Sequence, residues 1–161
     1  MKRKLSHVNR AGNPTMVNVS TKKITMRSAS AQAKVWLGPG IVAELKKEEL
    51  HTRKGPVFQT AILAGIMGAK KTAELIPLCH PIGLDDCSVT IHLEGDHAVI
   101  ESTARLMAKT GVEMEALTAV AIAALTIYDM CKAMSHDIRI EAIELMHKTG
   151  GKKEFKRNRL K

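Results

Sequence analysis

Aromatic side chains are scarce in this chain: two Phe, one Tyr and one Trp among 161 residues. Proteins that grip single-stranded nucleic acid stack bases on such rings, so the shortage argues against a strand-binding surface. Cysteine is also sparse. Cys79, Cys87 and Cys131 form no CxxC, and any bridging scheme leaves one over, which suits reduced thiols in a reducing compartment. None of the seven histidines sits in HExxH, and no Cys/His spacing matches a zinc ribbon, so no metal site is expected. A run of roughly 20 apolar residues, as a membrane span needs, is missing too. The basic amino terminus MKRKLSHVNRAGNP has no apolar segment behind it and does not read as a secretory signal. The expectation is a cytoplasmic protein with no membrane and no nucleic-acid partner.

What the chain does have is positive charge, +9 overall, and its location decides its meaning. Lys2, Arg3 and Lys4 supply three charges, and the segment from Lys152 to Lys161 has six basic residues against Glu154. The stretch between is nearly neutral. Basicity therefore belongs to the two termini, where it serves solubility or loose attraction to anions. Hydrophobic content of 45% and charged content of 25% fit one globular domain spanning 1–161, with 1–15 a flexible arm and 152–161 a basic flexible tail.

Along the chain, Met16, Val17 and Val19 suit a short strand, and Ser30 to Leu37 a longer one. Residues 41–50 have amphipathic helical spacing. After a polar loop, Val57 to Leu75 predicts a second helix in which Gly65 and Gly68 imply close packing on a neighbour. Pro77 and Pro81 bracket a non-helical segment. Val89, Ile91 and Leu93, then Ala98, Ile100, Ser102 and Ala104, alternate as a hairpin about Gly95-Asp96. A long helix over Lys109–Ala133 follows, and Asp137 to His147 reads as a strand with a bulge at Ala142-Ile143. The order predicts an α+β fold, a ferredoxin-like βαββαβ sandwich with helices on one face of an antiparallel sheet.

Four clusters carry chemistry. Arg53-Lys54-Gly55 precedes a helix and suits phosphate, or is simply a solvated loop. Leu78-Cys79-His80 lies between prolines; His80 is either a general acid/base or a hydrogen-bonded structural residue, and nothing activates Cys79 as a nucleophile. Glu113, Met114 and Glu115 open the long helix, where carboxylates favour the dipole. If both are helical, Glu113 and Glu115 point about 200° apart and are not expected to share one face. Asp129 and Lys132, three apart beyond an uncharged run from Ala116 to Tyr128, read as a pair on the apolar side of a buried helix. Such a pair is either a structural ion pair or a catalytic acid/base pair.

As literal strings, PLCHP at 77–81, KTGVEMEALTA at 109–119 and ALTIYDMCKA at 124–133 resemble the signatures of the cyclic pyranopterin monophosphate synthase family, molybdenum cofactor biosynthesis protein C. The similarity extends from HVNRAGNPTMVNVS, through KGPVFQTAILAGIMGAKKTAELIPLCHP, to KTGGK at 148–152. Asn18 and Ile62 depart from it, standing where an acidic and a basic residue are expected. The resemblance implies conversion of 3′,8-cyclo-7,8-dihydroguanosine 5′-triphosphate, made by a radical SAM enzyme, to cyclic pyranopterin monophosphate with release of pyrophosphate. It implies a homohexamer, a trimer of dimers, with sites at subunit interfaces. Essential residues would fall on Lys54, His80, Glu113, Glu115, Asp129 and Lys132, and substrate contacts on Leu78, Cys79, His80, Glu113, Met114 and Glu115. Lys70 or Lys148 would add charge near the phosphates. No cofactor is implied, and nothing in the residues supports Mg²⁺ with the triphosphate. Two rival readings are a binding module that presents the long helix to a protein partner and a nucleic-acid binder that works through its tails.

Overall fold

The structure, a computed structural model, describes residues 8, 9, 11–47, 51, 52 and 55–158. Strand β1 (Thr25–Trp36) leads into helix α1 (Gly38–Lys47). The two-residue strands β2 (His51–Thr52) and β3 (Gly55–Pro56) pair with each other ahead of helix α2 (Val57–Lys70) and the short α3 (Thr72–Leu75). The hairpin β4 (Asp86–Glu94) and β5 (His97–Ala108), the long helix α4 (Glu113–Cys131), β6 (Arg139–Thr149) and β7 (Phe155–Lys156) complete the chain. The main sheet has the order β4-β5-β1-β6-β7, and each neighbouring pair runs antiparallel. Without β7 this is the strand order of a ferredoxin-like sandwich, as the order of elements in the sequence predicts.

One face of the sheet is built for helices. Ala29, Ala31, Ala33 and Val35 of β1 and Ala98, Ile100 and Ala104 of β5 are fully or almost fully buried. The small side chains on the central strands let α4 settle over β1, β5 and β6, while α2 covers β4 and lies along α4. The glycines of α2 explain that contact. A Cβ on Gly65 would lie 2.8 Å from the Ala119 carbonyl oxygen, and one on Gly68 would lie 2.7 Å from the Ile122 side chain. The close packing expected at both positions is present. Removing the methyls lets the helices approach, at a cost in helix propensity of about 1 kcal/mol each.

Several boundaries differ from expectation. The strand expected at 16–19 has no ladder partner among the described residues, and β1 takes its pairs from Thr25 onward. The helix expected over 57–75 breaks at Lys71, whose N–H bonds Gly68 O at 3.0 Å and tightens the last turn. Residues 48–50 of the first helix lie outside the described residues, as do the arm residues 1–7 and 10. Strand β6 carries two register shifts against β1 instead of one. Glu141 is bypassed between the pairs Val35–Ile140 and Lys34–Ala142, and Met146 between Ala31–Leu145 and Ser30–His147. Residues 155 and 156, within the segment expected to be a tail, pair with Lys148 and His147 on the sheet edge.

Helix α4 also corrects the reading of its apolar run. Its 19 residues are long and apolar enough, by length and composition, to cross a membrane, yet 56% of that stretch is buried inside the protein. Its apolar surface is answered by the sheet and α2, as for a core helix.

Candidate active site

At the amino-terminal end of α4 three loops meet around a cleft of about 510 Å³. The loop after α3 brings Leu78, Cys79, His80 and Ile82; the turn before α4 brings Thr110 and Gly111; the helix itself brings Glu113, Met114 and Glu115. Val17, Val19 and Lys22 close one side, and Lys148 of β6 reaches in from the sheet. Every residue expected to contact substrate, Leu78, Cys79, His80, Glu113, Met114 and Glu115, lines this one cavity although the two groups are more than thirty positions apart in sequence.

The two glutamates diverge around the helix axis as their spacing requires, yet both border the cleft. The cleft lies at the end of the helix and not along one side, so the expected conflict of faces does not arise. Glu113 extends to the sheet, where Lys148 Nζ donates to its Oε1 at 2.7 Å. Gly111 makes room for this, since a Cβ there would collide with the Glu113 carboxylate. Glu115 turns inward and is 4% exposed. Loss of water pushes its pKa up to about 7, its own backbone N–H pulls the other way, and the Glu113 charge adds a further push. A carboxyl that titrates near neutrality inside a cleft is a candidate acid/base group on physical grounds. The Cys79 thiol is raised as well, by burial and then by the charge of Glu115, which is the opposite of nucleophile activation.

His80 Nε2 lies 2.8 Å from the carbonyl oxygen of Val17. A carbonyl oxygen only accepts, so Nε2 carries the hydrogen and donates it to Val17 O. Arg27 fixes the floor beneath the helix mouth, its Nε donating to Ala108 O at 3.3 Å and its Nη2 to Lys109 O at 3.4 Å.

The other expected residues are elsewhere. Asp129 and Lys132 do pair, Oδ1 to Nζ at 2.8 Å, but their side chains are 47% and 52% exposed. They belong to the outer stripe of α4 with Leu125, which is 56% exposed, and not to the buried face with Ala116, Ala119, Ala123 and Ile127. The long uncharged run conceals which side faces the sheet, because the outer side is apolar too. The hydrogen bond to Asp129, and then that carboxylate's charge, hold the Lys132 ammonium above its ordinary range, outweighing the loss of water that pulls the other way. About fourteen residues, roughly 21 Å of helix, separate Asp129 from Glu115. Lys54 and Arg53 lie outside the described residues. Lys70 borders a neighbouring cleft that shares His80, Ile82 and Glu115 with the first. Among the described residues no group of three His, Cys, Asp or Glu side chains is arranged to hold a metal ion.

Sequence reasoning missed Val17, Val19, Lys22, Ile82 and Arg27. The first three lie in a segment without regular structure, and a lysine there carries no signal of its own.

Comparison with known proteins bears on the same residues. A family model described as "MoaC family" matches residues 16–151. Proteins named cyclic pyranopterin monophosphate synthase from Xanthomonas campestris pv. campestris (strain B100), Xanthomonas axonopodis pv. citri (strain 306) and Xanthomonas oryzae pv. oryzae (strain MAFF 311018) are each 47% identical over 153 residues, covering 94% of this chain and 93% of theirs. The matched span includes the strands that carry Arg27 and Lys148, the loop that carries His80 and the whole of α4, and on that breadth the chain belongs to the MoaC family.

Proposed function

We propose that the chain is a cyclic pyranopterin monophosphate synthase, a lyase of molybdenum cofactor biosynthesis. It converts 3′,8-cyclo-7,8-dihydroguanosine 5′-triphosphate to cyclic pyranopterin monophosphate and pyrophosphate. One observation carries the assignment of the site: segments 78–80 and 110–115, distant in sequence, converge on a single cleft that also gathers Lys22 and Lys148 and an acid near neutrality.

Ring opening and reclosure require protons to be delivered and removed at defined atoms. Glu115, held neutral by burial up to about pH 7, donates a proton or hydrogen bond toward the guanine-derived ring. Expulsion of pyrophosphate builds negative charge on the leaving oxygens, which Lys148, Lys22 and His80 of the same cleft stabilise, a role the family resemblance also implies for Lys54. A triphosphate competes with Glu113 for Lys148 and so frees the Glu113 carboxylate to accept hydrogen bonds from the guanidine-like edge.

Asp129 and Lys132 act in the cleft of a neighbouring protomer. In support, one nucleotide is too short to touch both ends of α4, and exposed apolar side chains (Leu63 and Met67 on α2, Leu125 on α4) lie on the outer helix surface. That arrangement fits a homohexamer built from dimers of single-domain chains. The three cysteines are free thiols, in keeping with a cytoplasmic setting where a radical SAM enzyme supplies the substrate. The deciding experiment is to supply the cyclic nucleotide triphosphate and measure pyrophosphate together with the fluorescent oxidised pterin. Absence of both products from folded protein would overturn the assignment.

A further inference from the structure

Residues 15–24 run between the isolated Val8–Pro14 bridge and the first residue of β1. Among the described residues, no main-chain hydrogen bond joins this segment to a strand or helix. Its own bonds are local: Ser20 N–H to Asn18 Oδ1 at 2.8 Å, and Lys22 N–H to Val19 O at 3.1 Å. Even so, it has a defined inner and outer side. Val17 and Val19 are half-buried and line the cleft, whereas Met16, Asn18 and Ser20 between them are exposed. An extended chain places alternate residues on opposite sides, so this pattern marks a segment laid flat across the cavity.

Two side chains hold it there, one from each wall. His80, in the loop after α3, donates from Nε2 to Val17 O. Lys109, in the turn before α4, donates from Nζ to Ser20 O at 2.7 Å. Both latches grip backbone carbonyls, so the segment is retained whatever its side chains are. A segment held by two side chains and no ladder opens at much lower cost than a strand of the sheet.

We propose that residues 15–22 form a strap that closes over the nucleotide, with Lys109 as a positioning residue that latches it from the outer wall while His80 latches it from within. The proposal rests on the reading of this cleft as the active site. When latched, the strap supplies an apolar wall from Val17 and Val19, excludes water, and brings the Lys22 ammonium to the phosphate side. The Lys109 charge is used on Ser20 O and not on substrate. The role therefore asks only for a cationic donor of similar reach, and Arg meets that requirement where Met does not.

Lys109→Met and Lys109→Arg in the full chain test this. The Met variant is expected to raise KM about tenfold with a smaller change in kcat, and the Arg variant to restore it. Independently of turnover, trypsin should cut after Lys22 or Lys23 about tenfold faster in the Met variant than in wild type or the Arg variant, followed by fragment mass. An unchanged cleavage rate in the Met variant overturns the strap, whatever the kinetics. So does a faster rate that Arg fails to reverse. Should wild type itself turn over nothing, the functional assignment falls, and the trypsin comparison still decides whether the strap exists.

Discussion

At its amino-terminal end α4 presents Glu115, 4% exposed and titrating at about 7; at the other end it presents Asp129, 47% exposed and 2.8 Å from Lys132. Both carboxylates ride on one rigid helix, yet the fold buries only the first within the single chain. Burial without a counter-ion makes a carboxyl reluctant to ionise. An exposed pair with a matched cation keeps both partners charged and quiet. Within one chain, the carboxyl raised toward neutrality is therefore the one at the mouth of α4. The far end stays exposed in the single chain, and under the proposed oligomer it is a second protomer that would cover Asp129 and Lys132.

The sharpest way to break that contrast is Glu115→Gln. With the acid removed, kcat should fall by about 10²–10⁴, and the decline in activity as pH rises through about 7 should vanish from the pH profile. Asp129→Asn should also cost on the order of 10² in kcat while leaving Tm unchanged, since its pair is exposed. The two variants together probe the geometry. If the ends of α4 serve different clefts, mixed oligomers of Glu115→Gln and Asp129→Asn chains contain sites intact at both positions and should regain about a quarter of wild-type activity. Failure to regain any would put both ends to work within one chain.

Stability offers a quieter test. Because the folded pKa of Glu115 lies above its ordinary value of 4.5, the native state holds the extra proton between about pH 4.5 and 7. Stability then falls as pH rises across that window, by up to about 3 kcal/mol. Glu115→Gln should melt higher than wild type at pH 8 and about equally at pH 4. Asp129→Asn should show no such divergence. The smallest effect is expected from Gly111→Ala, whose Cβ displaces the Glu113 carboxylate from Lys148. A rise in KM of about threefold, with kcat held, would match a grip on substrate lost without damage to the acid.

The elements with strong periodicity were legible. The hairpin about Gly95-Asp96, the long helix and the glycine-mediated contact of α2 all follow from side-chain size and spacing, which act locally. The face of α4 was not legible. Leu125 and Ala123 are both apolar, and only the position of the sheet makes one exposed and the other buried. The cleft was half legible. Letters that match a family point to His80, Glu113 and Glu115, while Val17, Val19 and Lys22 enter through two side chain to backbone bonds that leave no pattern in sequence. The role of Lys54 stays with the family resemblance.

Strand β6 obeys a rule of parity. Each bypassed residue turns everything after it to the other side of the sheet, and two such residues cancel. The first, Glu141, puts Leu145 in place of Glu144 on the helix side, where it packs against the core. The second, Met146, undoes that shift, so that Lys148 pairs beside Ala29 on the helix side and meets Glu113. Were Met146 to take a place in the ladder opposite Ser30, His147 would turn to the cleft and Lys148 to the opposite surface. An odd change in the number of bypassed residues in this strand rewrites the cleft's charge without touching a cleft residue, whereas an even one leaves it intact.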